Sequence, residues 1–424
     1  ALAAGWQVQV LQLGEAERLQ GDALTACDDY VAAGGQTDPF SGGVALEADV
    51  LVDAMLGTGT DRPLAGDWQR AADWINTAPV PVLSVDIPTG LQSDTGSVPG
   101  VAVRADVTVT FIGRKTGLYT GVGPDHTGEV EFADLDVPAG IYRQVAAQAQ
   151  LLDHAPAGLL SRPRARSTHK GQNGHVLVIG GDEGMAGAVR LAGEAALRSG
   201  AGLVSIATHP AHAAFVTSAC PELMCHGIAD ARALEPLVAA ADVLAIGPGL
   251  GRTAWAQALL AVVLERATAR VIDADALNLL ARAPVAGDRQ VLTPHPGEAA
   301  RLLGQDIATV QQERLAAART IAASYGGVAV LKGAGTIIHD NETGPQICAA
   351  GNPGMATAGM GDVLTGVIAA FIAQGMDIKA AAAAGVCVHA CAGDVAARQG
   401  ERGLMARDVI AALRGVINGL CDVS

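Results

Sequence analysis

The feature that most constrains this chain is a repeated alternation of short, mainly apolar runs with longer helical segments. In the first half the apolar runs lie at 8–13, 48–56, 81–88 and 105–112, between Gly- and Asp-rich turns. Runs that are apolar on both faces are typical of parallel strands buried beneath helices. The segment 65–78 supplies a crossover helix. The first half is therefore predicted to be a doubly wound α/β domain.

A second series of strands and helices follows in the remainder of the chain. Its predicted strands lie at 174–181, 202–208, 243–247, 269–276, 290–296, 327–333 and 335–340. Its predicted helices lie at 186–200, 253–267, 310–326, 361–375 and 378–400. Between the two series, a stretch with two prolines and a basic cluster is predicted to be a linker; these residues are Pro156, Arg162, Pro163, Arg164, Arg166 and Lys170. The prediction is two α/β domains, 1–150 and 151–424.

Composition excludes several other classes of protein. Hydrophobic residues make up 50% of the chain and charged residues 17%, which excludes disorder as the main state. The formal net charge of −15 argues against general nucleic-acid binding. No apolar run of about 18 residues lacks Gly, Pro or charge, so no membrane span is expected. The seven cysteines are scattered without a CxxC pair, which suits a reducing cytoplasm better than a disulfide framework or a zinc site.

The strongest candidate site is the glycine-rich stretch 351–371, GNPGMATAGMGDVLTGVIAAF. Its four glycines at 351, 354, 359 and 361 precede a predicted helix that opens with Asp362. The free N–H groups of a first helical turn can bind phosphate, and Asp362 can accept a proton from a hydroxyl group. The alternative is that Asp362 is only an N-cap. Capping alone does not account for four glycines, so we predict a phosphate-handling site.

Two strand ends in the first half carry candidate cation ligands. Asp53 ends one strand before the Gly57-x-Gly59 turn, and Asp86 ends another before Thr89. In open α/β sheets ligands bind beyond the carboxyl ends of the strands, so these oxygens could converge on a hard cation. The alternatives are an ordinary tight turn for GxG and a turn-forming role for Asp86.

Seven collinear stretches in the second half resemble the ADP-dependent NAD(P)H-hydrate dehydratases of the ribokinase-like superfamily. They are HKGQNGHVLVIGG, GEAALRSGAGLVSIAT, AIGPGLG, DADALNLL, TPHPGEAARLLG, GGVAVLKGAGT and GNPGMATAGMGDVLTGVIAA. The first half resembles the NAD(P)H-hydrate epimerase domain of bifunctional enzymes, through VDAMLGTGTDRPL, LSVDIPTGLQSDTG and ADVTVTFIGRKTGL. The resemblance implies a Rossmann-like domain followed by a ribokinase-like domain.

The resemblance also implies repair of NADH or NADPH that has been hydrated on the nicotinamide ring. The epimerase would interconvert the R and S hydrates with K⁺. The dehydratase would use ADP and Mg²⁺ to remove water from the S form, releasing NAD(P)H, AMP and phosphate. The alternative within the same fold is a kinase for a small alcohol, with a non-catalytic N-terminal domain. Small-molecule substrates and a homo-oligomer are expected, without nucleic-acid or membrane partners.

Site residues follow from the resemblance position by position. For the adenine nucleotide they are Lys332, Gly333, Ala334, Gly335, Thr336 and Gly361. For the hydrated cofactor in the dehydratase they are Ala188, Gly251, His295 and Asp362, with Asp362 as the catalytic base. For the epimerase substrate they are Gly57, Thr58, Gly59, Thr60, Asp61, Arg62, Pro63 and Asp86. For K⁺ they are Asp53 and Thr89, where Thr stands in place of the usual Ser.

The epimerase half departs from the family pattern at its beginning. The family has a GNNGGDG loop just before the strand at 8–13, and the sequence starts after that position. In the family this loop supplies one metal ligand and much of a phosphate cradle. We therefore expect the first half to convert the R epimer only weakly.

Overall fold

The computed structural model describes residues 1–42, 47–152, 164–218 and 220–421. The chain divides into two compact units, Ala1–Ala146 and Ala147–Ser424. Parallel strands alternate with helices in both, so the predicted α/β fold class is confirmed. Most of the predicted linker, including Pro156, Arg162 and Pro163, lies outside the described residues.

The first unit contains a four-stranded parallel sheet and a separate parallel strand pair. Its strands are β1 (Val10–Gln12), β2 (Thr37–Pro39), β3 (Leu51–Asp53), β4 (Val82–Val85), β5 (Val107–Phe111) and β6 (Glu129–Ala133). Its helices are α1 (Gly21–Ala32), α2 (Asp67–Asn76), α3 (Pro124–Thr127) and α4 (Ala139–Tyr142). The larger sheet has the order β3-β4-β5-β6, and β1 pairs with β2. Helix α2 is the crossover predicted at 65–78.

The four-stranded sheet is not buried on both faces, contrary to the expectation from its apolar runs. In β5, Thr108 and Thr110 are fully buried while the alternate residues are partly exposed. In β3, the Val52 side chain is 51% exposed. Helix α2 covers one face, where its Ile75 packs with Val82. Apolar β-branched residues favour strands whether or not a second face is covered. The apolar runs therefore predicted the strands correctly but not the burial of both faces.

The second unit is built on one ten-stranded sheet. Its strands are β7 (Gln150–Leu152), β8 (His175–Ile179), β9 (Leu203–Thr208), β10 (Met224–Gly227), β11 (Val243–Ile246), β12 (Ala269–Ile272), β13 (Gln290–Leu292), β14 (Val328–Leu331), β15 (Thr336–His339) and β16 (Gln346–Cys348). Their order is β10-β9-β8-β11-β12-β13-β14-β15-β16-β7. Only β15 runs antiparallel to its neighbours among these strands. The predicted boundary after residue 150 falls inside β7.

Helices cover the large sheet and extend its core. They are α5 (Ala186–Arg198), α6 (Ala213–Val216), α7 (Ala231–Ala240), α8 (Ala254–Leu264), α9 (Ala274–Leu280), α10 (Pro296–Leu303), α11 (Ile307–Gln312), α12 (Arg314–Tyr325), α13 (Met360–Ala373), α14 (Ile378–Ala397) and α15 (Ala406–Ile417). Helix α13 packs directly on α5. The contact is so close at Gly366 that a Cβ there would collide with the carbonyl oxygen of Ala192. This close packing fixes the start of α13 over the carboxyl ends of the central strands.

The strand order places a crevice at the centre of the large sheet. The chain moves outward from β8 to β9 and β10 on one side, and from β11 to β14 on the other. Ligands of open α/β sheets bind at such a switch point, beyond the carboxyl ends of the strands. Residues that directly follow β8, β11, β12, β13 and β14 therefore share one edge of the sheet.

One described helix, α14, is long and apolar enough to cross a membrane by length and composition. About two-thirds of its most apolar window (67%) is buried inside the fold. It packs against α13 and α15. Buried core helices pass the same test, so this helix is not evidence of a membrane span.

Candidate active sites

The glycine-rich stretch leads into α13 as expected, but Asp362 does not cap that helix. The N-cap is Gly359, in a left-handed conformation with φ 92°, and no side chain caps this helix start. Asp362 is the third residue of the first turn. The alternative reading of Asp362 as an N-cap is therefore wrong, because glycine supplies the backbone geometry at the cap. The first-turn N–H groups remain available for an anion.

A buried ion pair lies beside the start of α13. Lys332 follows β14, Asp273 follows β12, and Nζ lies 2.8 Å from Oδ1. The Thr365 hydroxyl donates to the other carboxylate oxygen of Asp273 at 2.9 Å. The Glu298 Oε2 atom lies 3.9 Å from the lysine nitrogen. Gly361 lies against the pair, since a Cβ there would stand 3.1 Å from the lysine nitrogen.

The pKa values in this cluster distinguish two kinds of group: those that stay charged at neutral pH and one that can exchange a proton. Burial opposes ionisation of Asp273, but Lys332 and neighbouring hydroxyls hold its pKa below the ordinary value. Burial likewise disfavours the ammonium, yet Asp273 and Glu298 raise the pKa of Lys332. Burial and the nearby Asp273 charge raise the pKa of Asp362 to about 7. The ion pair therefore stays charged, whereas Asp362 can exchange a proton near neutral pH.

His295 is the N-cap of α10 and stands next to this cluster. Its ring Nδ1 atom accepts a hydrogen bond from Gly297 N at 3.0 Å, and its backbone N–H donates to Glu298 Oε2 at 2.8 Å. Its Nε2 atom lies 3.3 Å from Glu298 Oε1. Burial and the charges of Lys332 and Arg301 lower the pKa of His295. The ring is therefore neutral near pH 7, with its proton on Nε2.

Burial also raises the pKa of Glu298. The Asp273 charge acts in the same direction, and Lys332 opposes it. Glu298 thus contacts both the N-cap residue of α10 and the lysine of the ion pair.

Gly251 and Ala188 border the central crevice. Ala188 lies in the first turn of α5, and its Cβ would stand 3.2 Å from a Cβ placed on Gly249. Gly251 N donates to Asp275 Oδ2 at 3.1 Å, and Arg252 Nε donates to Asp275 Oδ1, also at 3.1 Å. Asp275 therefore fixes the turn after β11. The structure brings the start of α5 and this turn into contact.

The segment 332–336 joins β14 to the antiparallel β15, and a buried arginine holds its shape. Arg314 Nη2 donates to the carbonyl oxygens of Leu331, Lys332 and Gly335 at 3.4, 3.3 and 3.4 Å. The Arg314 side chain is fully buried, and burial lowers its pKa to about 10. It remains charged at neutral pH. One guanidinium thus binds two carbonyl groups of the predicted nucleotide-binding segment and one at the end of β14.

In the first unit the structure brings Asp53 and Thr89 together. Thr89 donates to the Asp53 carboxylate from its backbone N at 2.8 Å and from its hydroxyl at 2.7 Å, and the Ser84 hydroxyl donates at 2.9 Å. Both Asp53 and Thr89 are 1% exposed. Among the described residues, no Lys, Arg or His forms an ion pair with Asp53. A buried carboxylate that meets only neutral donors is chemically suited to a bound cation.

Asp86 is engaged with different partners. Its backbone is left-handed (φ 70°), and its carboxylate accepts hydrogen bonds from Phe111 N at 3.0 Å and from the Thr110 hydroxyl at 3.3 Å. It also pairs with Lys115. The carboxylate thus has a cationic partner of its own, unlike that of Asp53. Lys115 was not predicted; its signal was a lysine in the turn just after an apolar strand.

The predicted substrate turn at 57–63 is largely exposed. It begins next to the Asp53–Thr89 pair, because Leu56 N donates to the Thr89 hydroxyl at 3.0 Å. The Ser93 hydroxyl donates to the carbonyl oxygen of Thr58 at 3.4 Å. The turn and the buried carboxylate therefore lie at the same strand end.

Comparison with known proteins agrees with this arrangement. A family model described as NAD(P)H-hydrate dehydratase matches residues 176–414, and one described as YjeF-related protein N-terminus matches residues 1–117. The bifunctional NAD(P)H-hydrate repair enzyme Nnr of Coxiella burnetii is 46% identical over 98% of this chain and 85% of its own length. The enzyme of that name from Escherichia coli is 42% identical over 99% of this chain and 81% of its own.

Solved structures match the second unit. An ADP/ATP-dependent NAD(P)H-hydrate dehydratase from Bacillus subtilis, co-crystallised with ATP and Mg²⁺, superposes with a TM-score of 0.57 at 28% identity. The match covers 65% of this chain and 100% of that one. A ribokinase-like superfamily protein from Enterococcus faecalis gives a TM-score of 0.59 at 31% identity, covering 65% and 98% of the two chains.

Proposed function

This chain belongs to the family of bifunctional NAD(P)H-hydrate repair enzymes, and from that premise we propose how its residues carry out the repair. The second unit dehydrates the S form of hydrated NAD(P)H, and the first unit epimerises the R and S forms. The observation that carries the proposal is Asp362, with a pKa of about 7, beside the Lys332–Asp273 pair at the start of α13. These residues supply a base and an anion site in one place.

The nucleotide would bind along segment 332–336 and Gly361, with ADP as phosphoryl donor. Lys332 is charged and lies against the helix start, where it would meet the terminal phosphate. The first-turn N–H groups of α13 would receive the transferred phosphoryl group as its charge develops. Asp273 and Thr365 hold the lysine and the helix in register.

Mg²⁺ would be held chiefly by the phosphates of the nucleotide. In the part of the chain that the structure describes, no three His, Cys, Asp or Glu residues are grouped to hold a metal ion. The ion would neutralise phosphate charge during transfer. The protein's own contribution to that charge is Lys332 and the helix start.

Asp362 would act as the base toward the hydroxyl of the hydrated ring. A carboxylate whose pKa lies near the operating pH is a stronger base than an ordinary aspartate. It takes the hydroxyl proton while the oxygen attacks the terminal phosphorus of ADP, and AMP leaves. The ring nitrogen then expels phosphate, and loss of a proton from the adjacent ring carbon restores the dihydronicotinamide. His295, Gly251 and Ala188 would border the substrate.

The first unit would hold K⁺ at Asp53 and Thr89. The ion would neutralise the buried carboxylate, which meets only neutral donors in the structure. The turn at 57–63 and Asp86 would contact the hydrated nucleotide from the same edge of the sheet. Lys115 would hold the Asp86 carboxylate in position through their ion pair. We further propose a cytoplasmic location, which the seven free thiols support.

The test is conversion of an S and R mixture of hydrated NADPH with ADP, and separately with ATP. We expect absorbance at the reduced-nicotinamide band to rise together with free phosphate in equal amounts, and the S form to disappear first. Accumulation of a stable phosphorylated product without NADPH would favour the small-alcohol kinase instead. Incubation without nucleotide is the control for spontaneous dehydration.

A further inference from the structure

The interior of the dehydratase site carries three acidic side chains, although the site must accept an anionic dinucleotide. Asp273, Glu298 and Asp362 surround one cation, Lys332. Hydrated NAD(P)H carries a diphosphate, and the NADPH form a further 2′-phosphate. Like charges repel strongly in a partly desolvated site. The uncharged reduced ring suits this interior, so the phosphates of the substrate need cations elsewhere.

Such a cation stands on α10, six residues after His295. Arg301 is exposed, and its Nη1 atom donates to Asn278 Oδ1 at 2.8 Å. The Asn278 side chain is 8% exposed, and its Nδ2 atom donates to Ala274 O and Asp275 Oδ1, each at 3.3 Å. Both ends of the amide are therefore engaged, which fixes the direction of the guanidinium.

The same network reaches the turn after β11. Asp275 accepts hydrogen bonds from Asn278, Gly251 N and Arg252 Nε. Arg252 is therefore neutralised by Asp275. Arg301, in contrast, has no carboxylate oxygen within 4.0 Å in the described ranges of the chain. One uncompensated guanidinium thus lies on the helix that His295 caps, and it is linked through Asn278 and Asp275 to Gly251.

We propose that Arg301, positioned by Asn278, binds a phosphate group of the hydrated dinucleotide at the rim of the dehydratase site. This inference rests on the proposed function of that site. A guanidinium with most of its five donors free matches the paired oxygens of a phosphate. The influence of Arg301 on the pKa of His295 places its charge close to the substrate-binding edge. The phosphate is either the diphosphate or the 2′-phosphate, and the two substrates separate them.

The experiment compares Arg301→Gln with wild type on both hydrated NADPH and hydrated NADH. Loss of a charge-assisted hydrogen bond predicts a rise of about 10- to 100-fold in KM for the substrate. We expect kcat and the KM for ADP to stay within about twofold. A rise with both substrates identifies the diphosphate, and a rise confined to hydrated NADPH identifies the 2′-phosphate. Arg301→Lys should recover part of the loss, because it keeps the charge without the planar fork.

The matched control is Arg282→Gln, which removes an exposed arginine just beyond the far end of α9. It should change no kinetic constant. Unchanged substrate KM in a folded Arg301→Gln variant would overturn the inference, as would a change confined to kcat or to the KM for ADP. Failure of the proposed function itself gives a different result, because wild type would then show no ADP-dependent recovery of either cofactor.

Discussion

Replacing Asp362 with asparagine should abolish dehydration and at the same time stabilise the fold. The substitution nearly preserves the shape of the side chain. It removes no capping bond, because the N-cap of α13 is Gly359 and no side chain caps that helix start. What it removes is one carboxylate that is surrounded by Asp273 and Glu298 and withdrawn from water. Stability and activity should therefore move in opposite directions.

The stability gain follows from the pKa of Asp362, which rises from 3.8 to about 7 on folding. A tenfold change in an ionisation constant corresponds to about 1.4 kcal/mol. Holding the ionised form in the fold therefore costs up to about 4 kcal/mol, or about 2 kcal/mol once solvent screening at its exposed edge is allowed for. The folded state binds the proton more tightly, so this cost grows between pH 4 and 7 and is complete above 7.

Three measurements test this reasoning. Urea unfolding at pH 8 should show Asp362→Asn more stable than wild type by about 2 kcal/mol, and at pH 4 the two should coincide. Turnover of the S hydrate at saturating ADP should fall by about 10²-fold or more. In wild type, kcat/KM should rise with pH up to about 7 and then level off, and the variant should lose this dependence.

Asp288→Asn is the control, because Asp288 is an exposed aspartate of the same unit. It should change neither stability nor turnover. Near-normal turnover by folded Asp362→Asn would refute the assignment of the base. A variant less stable than wild type at pH 8 would refute the argument from desolvation, since the carboxylate would then be making a favourable contact in the fold.

Three further changes test other parts of the structure. Arg314→Lys keeps the charge but loses the fork to three carbonyl groups, so the KM for ADP should rise about tenfold while the KM for the hydrate stays constant; an unchanged KM for ADP would contradict this. Residues 147–424 alone should fold and dehydrate the S hydrate, whereas a fragment from 164 loses β7 and should melt at a lower temperature in calorimetry. Asp53→Asn should remove any K⁺ stimulation of R-to-S conversion, measured as recovery from pure R hydrate with and without K⁺, because the buried charge is gone; persistent K⁺ dependence would place the ion elsewhere.

In the second unit, the strands that were predicted from sequence are mostly those at the buried centre of the sheet. The central strands β8, β11, β12 and β14 are apolar except for His175 and Arg270, and each was predicted within a few residues. Strands β7, β10 and β16 were missed. They are short and contain polar residues such as Gln150, His226 and Gln346. Strands near or at a sheet edge depend on their pairing partner more than on their own composition, so no local pattern identifies them.

The candidate site shows the same division between local and distant information. Asp362 and Lys332 lie in segments with a recognisable local pattern. Asp273 and Thr365 act through contacts with residues 59 and 92 positions away, which no local pattern contains. The sequence contains one local indication of Asp273, which is a carboxylate directly after a buried strand. The sequence contains no local indication of the role of Arg314, because an arginine in a helix is expected to face water.

The ion pair at the centre of the site is better explained by function than by stability. The attraction within a buried Lys–Asp pair is little larger than the free energy needed to remove both charges from water. A protein with an apolar pair of similar volume is often as stable. Lys332 and Asp273 nevertheless stay ionised, because each shifts the pKa of the other in the direction that keeps its charge. A permanently charged ammonium is what a nucleotide phosphate requires. The negative charge of Asp273 also raises the pKa of Asp362 toward neutrality. Asp273 thereby keeps the phosphate-binding lysine charged and raises the pKa of the base. These two effects explain why the site contains buried charges that do not increase the stability of the fold.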